Sequence, residues 1–427
     1  MNIIKYPDCS SWSDLTKRPH LDVAALNDKV MSVLQQVRQR GDEAVREYEQ
    51  LFDHVSLDSL QATEEEMNEA ENELSEELKA SVRLAYNNIK TFHQAQLFQG
   101  KKIHVVPGVT CWQKAVPIER VGLYIPGGTA PLFSTVLMLA VPADIAGCGE
   151  IVLCSPPNRS GKLHPAILFA ARLAGVKKVF KAGGVQAIGA MAYGTESVPK
   201  VYKIFGPGNQ YVVAAKQQVS LHDVAIDMPA GPSEVEVLAD SSASPSFVAA
   251  DLLSQAEHGV DSQVLMVTTS EALIQQVVRE VNLQLDLLPR KDIAVQALEN
   301  SKIVLVKDME EAMRLTNEYA PEHLIMNIRE AEEWADRVVN AGSVFIGPYS
   351  CESAGDYASG TNHTLPTNAY AKAYSGVNLD SFMKKITFQE LTQEGVQSIG
   401  HAVEVMAHHE SLDAHKNAMT VRLQSIQ

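Results

Sequence analysis

Gln255 and His258 stand three apart in the stretch SQAEHG, residues 254–259, so on a helix they share one face. Imidazole nitrogen is a common ligand for zinc, and an amide oxygen is a hard, neutral donor. The pair reads as half of a metal site, or as a helix end whose histidine caps the last carbonyls. The stretch APEHLIM, residues 320–326, is sharper. Pro321 disfavours helical geometry at Ala320 and so ends the preceding helix. Glu322 and His323 then sit in a turn before a strand. A carboxylate beside an imidazole can divide general acid and base work. The bland alternative is a capping histidine beside a solvated glutamate.

Further candidates are scattered. Asp356 lies in the glycine-flanked SAGDYASG, His363 in GTNHTLP, and His409 and His415 in HHESLDAHKN. Ser233 opens a strand after the Gly/Pro turn of DMPAGPSEV. Without G-x-S-x-G it reads as a hydrogen-bonding residue rather than a hydrolase nucleophile. His20, His54, His93, His104, His164 and His222 stand in polar or surface-like contexts that suggest no special role.

Bulk properties narrow the classes. A chain of 427 residues exceeds one ordinary core, so two or more domains are expected. With 36 basic and 52 acidic residues the formal charge is −16, which disfavours nucleic acid and anionic membranes as partners. No apolar run is long enough to span a membrane, and no signal-peptide core opens the chain. The five cysteines, Cys9, Cys111, Cys148, Cys154 and Cys351, form no CxxC, so a disulfide framework or thiolate zinc knot is not expected. Cys148 and Cys154 read as packing residues. The default compartment is the reducing cytoplasm.

The elements that must position these residues follow from periodicity. Leu26, Val30, Val33, Leu34 and Val37 make a helical stripe. Thr63 and Glu66 form a capping box, and Leu74, Leu78, Val82, Ile89 and Phe92 line one face of a long helix. From about residue 120, strands such as RVGLYI, EIVLCS and KVYKIF alternate with helices across Gly/Pro turns. A second alternation runs from SEVEVLAD to SVFIG. This predicts an α/β fold of two Rossmann-like βα domains with largely parallel sheets, plus small N- and C-terminal extensions. The G-x-G-x-x-G fingerprint is absent; FGPGNQYV comes nearest. The expected division is an extension over 1–20, a first α/β domain over 21–124 and 233–376, a second over 125–232, and a tail over 377–427. QAEHG and PEHL both lie between a helix and the next strand, so in a parallel sheet they emerge on one edge. Asp356 follows a strand and joins them only if SVFIG runs antiparallel or the next loop doubles back. Glu236 puts a charge into an apolar strand and is expected to face solvent or another subunit.

Taken together, VGLYIPGGTAPLFSTVLMLAVPADIAGC, KIFGPGNQYV, IDMPAGPSEV, DLLSQAEHG, PEHLI and SAGDYASGTNHTLPT closely resemble the histidinol dehydrogenase family over nearly the whole chain. The resemblance implies a zinc enzyme, one Zn2+ per subunit, that oxidises L-histidinol through L-histidinaldehyde to L-histidine with two NAD, the last steps of histidine biosynthesis. It implies Gln255, His258, Asp356 and His415 as metal ligands and Glu322 and His323 as the acid/base pair. It implies Ser233, His323, His363, Glu410 and the metal-site residues as substrate contacts. Tyr124, Gln186 and Asn209 become cofactor contacts. It implies that the first domain carries the metal site, the second contacts NAD and the tail packs on a partner subunit. It further implies a homodimer with shared active sites, in which Glu410 and His415 reach across from the partner. His408 and His409 compete for the ligand role, but AHKN carries the resemblance and places it at His415. Two other classes compete with the dehydrogenase: a non-enzymatic metal or small-molecule binder, and a metallohydrolase built on Glu322.

Overall fold

The computed structural model describes residues 1–18, 23–127 and 131–426. His20 and residues 128–130 of the PGGTAP turn lie outside the described residues. Two parallel sheets organise the chain. The first has six strands in the order Asn2–Lys5, Lys302–Leu305, Gln263–Thr268, Glu234–Ala239, His323–Asn327 and Ser343–Ile346. The second has five, in the order Lys178–Lys181, Glu150–Ser155, Arg120–Tyr124, Lys203–Phe205 and Ala225–Ile226. Every pairing in both sheets is parallel. Both faces of the central strands are covered, so QVLMVT and EVEVLA are buried at every position, the two glutamates of the latter included.

Several elements fall elsewhere than the sequence suggests. Arg120–Tyr124 is the central strand of the five-stranded sheet, not the end of the metal-site domain. The N-terminal helices go with it. Val30, Val33, Leu34 and Val37 share a core with Tyr124, Ile188 and Val212, while Val82, Ala85 and Ile89 pack with Val121 and Leu137. The six-stranded sheet instead takes the first residues of the chain, because Asn2–Lys5 pairs with Lys302–Leu305. A short apolar strand and a helical stripe each report one buried face, but not which sheet buries it.

The capping box forms, with Glu66 N donating to Thr63 Oγ1 (3.1 Å) and Thr63 N to Glu66 Oε2 (2.8 Å). The long helix expected after it is two helices, Glu64–Glu73 and Glu76–Gln94. Ser75 starts the second by accepting from Leu78 N. Phe92 turns outward, and His93 takes its place on the buried face. That corrects the surface assignment of His93, whose Nδ1 donates to Ile89 O at 2.8 Å.

The tail is more ordered than its polar sequence suggests. Met383–Leu391 pairs antiparallel with Val109–Pro117, which pairs in turn with Ile103–Val106. Helices Gln393–His409 and Asp413–Ser425 follow, and the second buries none of its residues within the chain. Glu236 is a further correction. It does not face solvent: it is fully buried, accepts from Thr316 Oγ1, and burial pushes its carboxyl up to about 8.

Candidate active site

The site is built at the edge where strands of the six-stranded sheet begin. Helix Pro245–Ala256 starts on a proline, where the missing N–H costs nothing, and ends just past Gln255. His258 follows in the turn. Helix Met309–Tyr319 closes at Ala320, which is held in the left-handed region (φ 52°). Pro321 then turns the chain, and Glu322 and His323 enter the neighbouring strand. The two helix-to-strand turns meet on one edge, as parallel strands require.

Asp356 arrives by the doubled-back path. Ser343–Ile346 runs parallel to His323–Asn327, so its loop leaves on the far edge. Helix Glu352–Tyr357 carries the chain back and brings Asp356 Oδ1 to 3.7 Å from His323 Nε2. The same helix delivers Glu352, which the sequence reading passed over. Its Oε1 lies 3.7 Å from His323 Nδ1. A signal was there: Glu352 and Asp356 stand four apart, one turn of helix. Ligand atoms of His258, Glu352 and Asp356 all lie within 4.8 Å of one another.

The backbone of one residue, Glu234, orders the acid/base candidates. Glu234 N donates to Glu322 Oε2 at 2.9 Å, and His323 Nδ1 donates to Glu234 O at 3.2 Å. His323 Nε2 is therefore the free ring nitrogen, and it is buried without a partner. Burial raises Glu322 to about 8. Burial also opposes charge on His323, yet Glu352, Glu322 and Asp356 around it override that and hold its pKa well above the ordinary value. Ser233 immediately precedes Glu234. His363 Nε2 lies 3.4 Å from Thr135 Oγ1, on a helix that packs with the five-stranded sheet. Its loop is tied there by Asn362 Nδ2, which donates to Met138 O at 2.6 Å. The site therefore sits where the two α/β halves meet.

The donor set fits a divalent cation. Gln255 is fully buried, and neither its Oε1 nor its Nε2 has a partner; Asp356 Oδ1 is orphaned too. An unpaired buried amide costs about 1–3 kcal/mol per group. His258, Glu352 and Asp356 bring imidazole and carboxylate donors together, and a cation held there would offer the Gln255 amide oxygen a partner. Glu410 and His415 are not brought there within one chain. Both are exposed in the tail, where His415 lines a groove with Gln389, Thr392 and Arg422.

A second feature lies at the carboxyl ends of the five-stranded sheet, where open α/β sheets bind ligands. Tyr124, Gln186 and Asn209 line one cavity of about 610 Å³. Asn209 caps helix Gln210–Ser220 by accepting from Tyr211 N (3.0 Å) and Val212 N (3.1 Å). Tyr124 Oη accepts from Gly184 N at 3.1 Å, near the start of helix Gly184–Tyr193. Both helices thus point their N-termini, which favour anions, at the cavity. The Cys148 and Cys154 thiols are poor nucleophiles. Burial pushes Cys148 up to about 12 and Cys154 higher still.

Comparison with known proteins places the chain. A family model described as histidinol dehydrogenase matches residues 16–423. The chain belongs to the histidinol dehydrogenase family. It is 68% identical over 426 residues to the histidinol dehydrogenase of Bacteroides fragilis, with 100% of both chains covered. The Bacteroides thetaiotaomicron histidinol dehydrogenase is likewise 68% identical over 426 residues, again with 100% of both covered. The crystal structure of histidinol dehydrogenase from Elizabethkingia anophelis superposes with a TM-score of 0.98 at 52% identity, covering 100% of this chain and 98% of that one. As a histidinol dehydrogenase family member the protein is an oxidoreductase, and its α/β fold with largely parallel sheets is that of the family. Among the described residues no helix is long and apolar enough to cross a membrane.

Proposed function

We propose that the protein oxidises L-histidinol through L-histidinaldehyde to L-histidine in two successive NAD-linked steps, completing histidine biosynthesis, with one zinc ion per subunit. The observation that carries this reading is Gln255. A fully buried amide with both polar atoms unpaired, one helical turn before His258, whose ring clusters with Glu352 and Asp356, is a poor structural element and a good ligand. Gln255, His258 and Asp356 would hold the metal together with the partner subunit's His415. When bound, zinc supplies a Lewis acid that grips the substrate's imidazole and amine, and NAD supplies the hydride acceptor.

The chain's own residues handle protons and water. Because Nδ1–H of His323 is committed to Glu234 O, Nε2 is the ring nitrogen that would take the alcohol proton as the carbinol hydrogen leaves as hydride, once a cation bound at Asp356 offsets the negative charge that holds the ring protonated. In the second oxidation Glu322, fixed through Oε2 by Glu234 N, takes a proton from the water that adds to the aldehyde carbon. The hydrated carbon then loses the second hydride. Ser233, His363 and the partner's Glu410 would orient the substrate, whose positive charge suits an acidic pocket. Glu322 and His323 are almost fully buried, which keeps the aldehyde from escaping between steps. The unmatched thiols, all free in the structure, and the acidic chain fit the cytoplasm.

The homodimer reading has its own support. Val105, Phe388, Met406 and Val421 are large apolar side chains left exposed on the tail and the strands it pairs with. Large apolar side chains left exposed on the tail and its sheet are what a partner subunit would cover. Mixing inactive His415→Asn and His258→Asn protomers should restore up to about a quarter of the activity, the statistical share of intact shared sites. No recovery, with subunit exchange verified by native mass spectrometry, would remove the shared site.

Stoichiometry tests the reaction itself. Two NADH should form per histidinol consumed, with histidine as the product. A metallohydrolase would release product without reducing NAD, and a binding protein would turn nothing over.

A further inference from the structure

One buried cluster has no part in the chemistry above. Glu49 and Asp53 bound a short π-helical turn, Glu49–Asp53, beside the cavity lined by Tyr124, Gln186 and Asn209. Glu49 is fully buried. Its Oε1 accepts from Gly183 N and from Gln186 Nε2, each at 2.8 Å. Its Oε2 is buried with no hydrogen-bond donor, and the carboxyl that faces it is that of Asp53. Two carboxyl groups so placed share a proton. Burial and the neighbouring Asp53 push Glu49 up to about 7, and burial raises Asp53 as well; sharing one proton, the pair keeps a single negative charge, and Asp53 is the member that lines the cavity.

The cavity inherits a polarity from this arrangement. Since the Gln186 amide donates through Nε2 to Glu49, its Oε1 must point the other way, and that oxygen is buried without a partner. Among the described residues lining the cavity, Asp53 and the exposed Lys29 are the charged ones. Gln186 Oε1 and the Asp53 carboxylate are both acceptors, and the ligand that satisfies them must bring donors. Ribose hydroxyls do so. A phosphate ester at the same place brings only acceptors and negative charge.

We propose that Asp53, steadied by Glu49, is the specificity-determining residue that admits a dinucleotide with a free ribose 2′-hydroxyl and rejects one carrying a 2′-phosphate. The proposal rests on the reading of this cavity as the NAD site. Lys29, on the solvent side, attracts either cofactor through its common pyrophosphate and does not discriminate.

The test is the NAD/NADP preference of the zinc-loaded dimer, measured as a ratio of dissociation constants by calorimetry and as a ratio of kcat/KM. Each ratio is internal to one preparation, so partial loss of folded protein cancels. Asp53→Asn keeps the shape and removes the charge; Asp53→Ser is a smaller second variant. In both the preference for NAD should fall at least about tenfold, chiefly through tighter NADP binding, because a like-charge contact is relieved. Lys29→Ala should weaken both cofactors in the same proportion. If Gln186→Ala weakens NAD while both Asp53 variants keep the wild-type preference within about twofold, this proposal is overturned and the cofactor site stands. If neither Gln186→Ala nor the Asp53 variants alter NAD binding, the cofactor is elsewhere and the reading beneath the proposal fails with it.

Discussion

Stripping the divalent ion with a strong chelator should abolish histidinol oxidation, with activity returning on addition of zinc. The expected loss is on the order of a thousandfold or more, since Lewis-acid stabilisation and substrate anchoring together supply several kcal/mol. The fold should survive, because the metal-site residues sit at the rim of a sheet whose core clusters are apolar and complete without them. Far-UV circular dichroism checks that point independently of turnover. His258→Asn should reproduce the loss, with zinc content measured by plasma mass spectrometry falling in step. Turnover that persists undiminished in protein shown to be metal-free would refute the zinc reading, and with it the explanation of the unpaired Gln255 amide.

Glu322→Gln should separate the two oxidations. The amide can still accept from Glu234 N through its oxygen, so the local structure is preserved. It cannot take a proton from water. General-base catalysis is worth about 10²–10⁴-fold, and oxidation of histidinaldehyde should fall by that much. Oxidation of histidinol to the aldehyde, which relies on His323 Nε2, should fall by less than about tenfold, the cost of a perturbed neighbour rather than a lost base. The observable is the product mixture. The variant should release or accumulate histidinaldehyde and form close to one NADH per histidinol instead of two. Equal losses measured separately with alcohol and aldehyde would show that Glu322 and His323 do not divide the work in this way.

These two experiments bear on residues that became visible in different ways. Gln255 and His258 are legible because three residues along one helix end is local geometry. Glu322 and His323 are legible because a proline must break the preceding helix, and Ala320 does turn into the left-handed region there. That both turns share an edge follows from parallel pairing, itself readable from apolar strands alternating with helices. Glu352 was only weakly legible, by its place one helical turn before Asp356, because a glutamate at the start of a short helix is most often solvated. Only the neighbours it is folded against make it a buried carboxylate.

By itself, then, the sequence determined the secondary elements of the two βα halves, their parallel character, the helix ends and turns that carry Gln255, His258, Glu322 and His323, and the family. Local sterics, hydrogen-bonding capacity and the period of apolar residues act over a few positions, and they are written in consecutive letters. The tertiary structure alone decided that the N-terminal helices cover the five-stranded sheet, and that Val109–Pro117 waits for Met383–Leu391 from the far end of the chain. It alone decided that Glu236 is buried against Thr316, and that the loop after Ser343–Ile346 doubles back to set Asp356 beside His323. Each of these is a choice among partners distant in the chain. Burial and pairing energies settle such choices over the whole molecule, and no local pattern carries them.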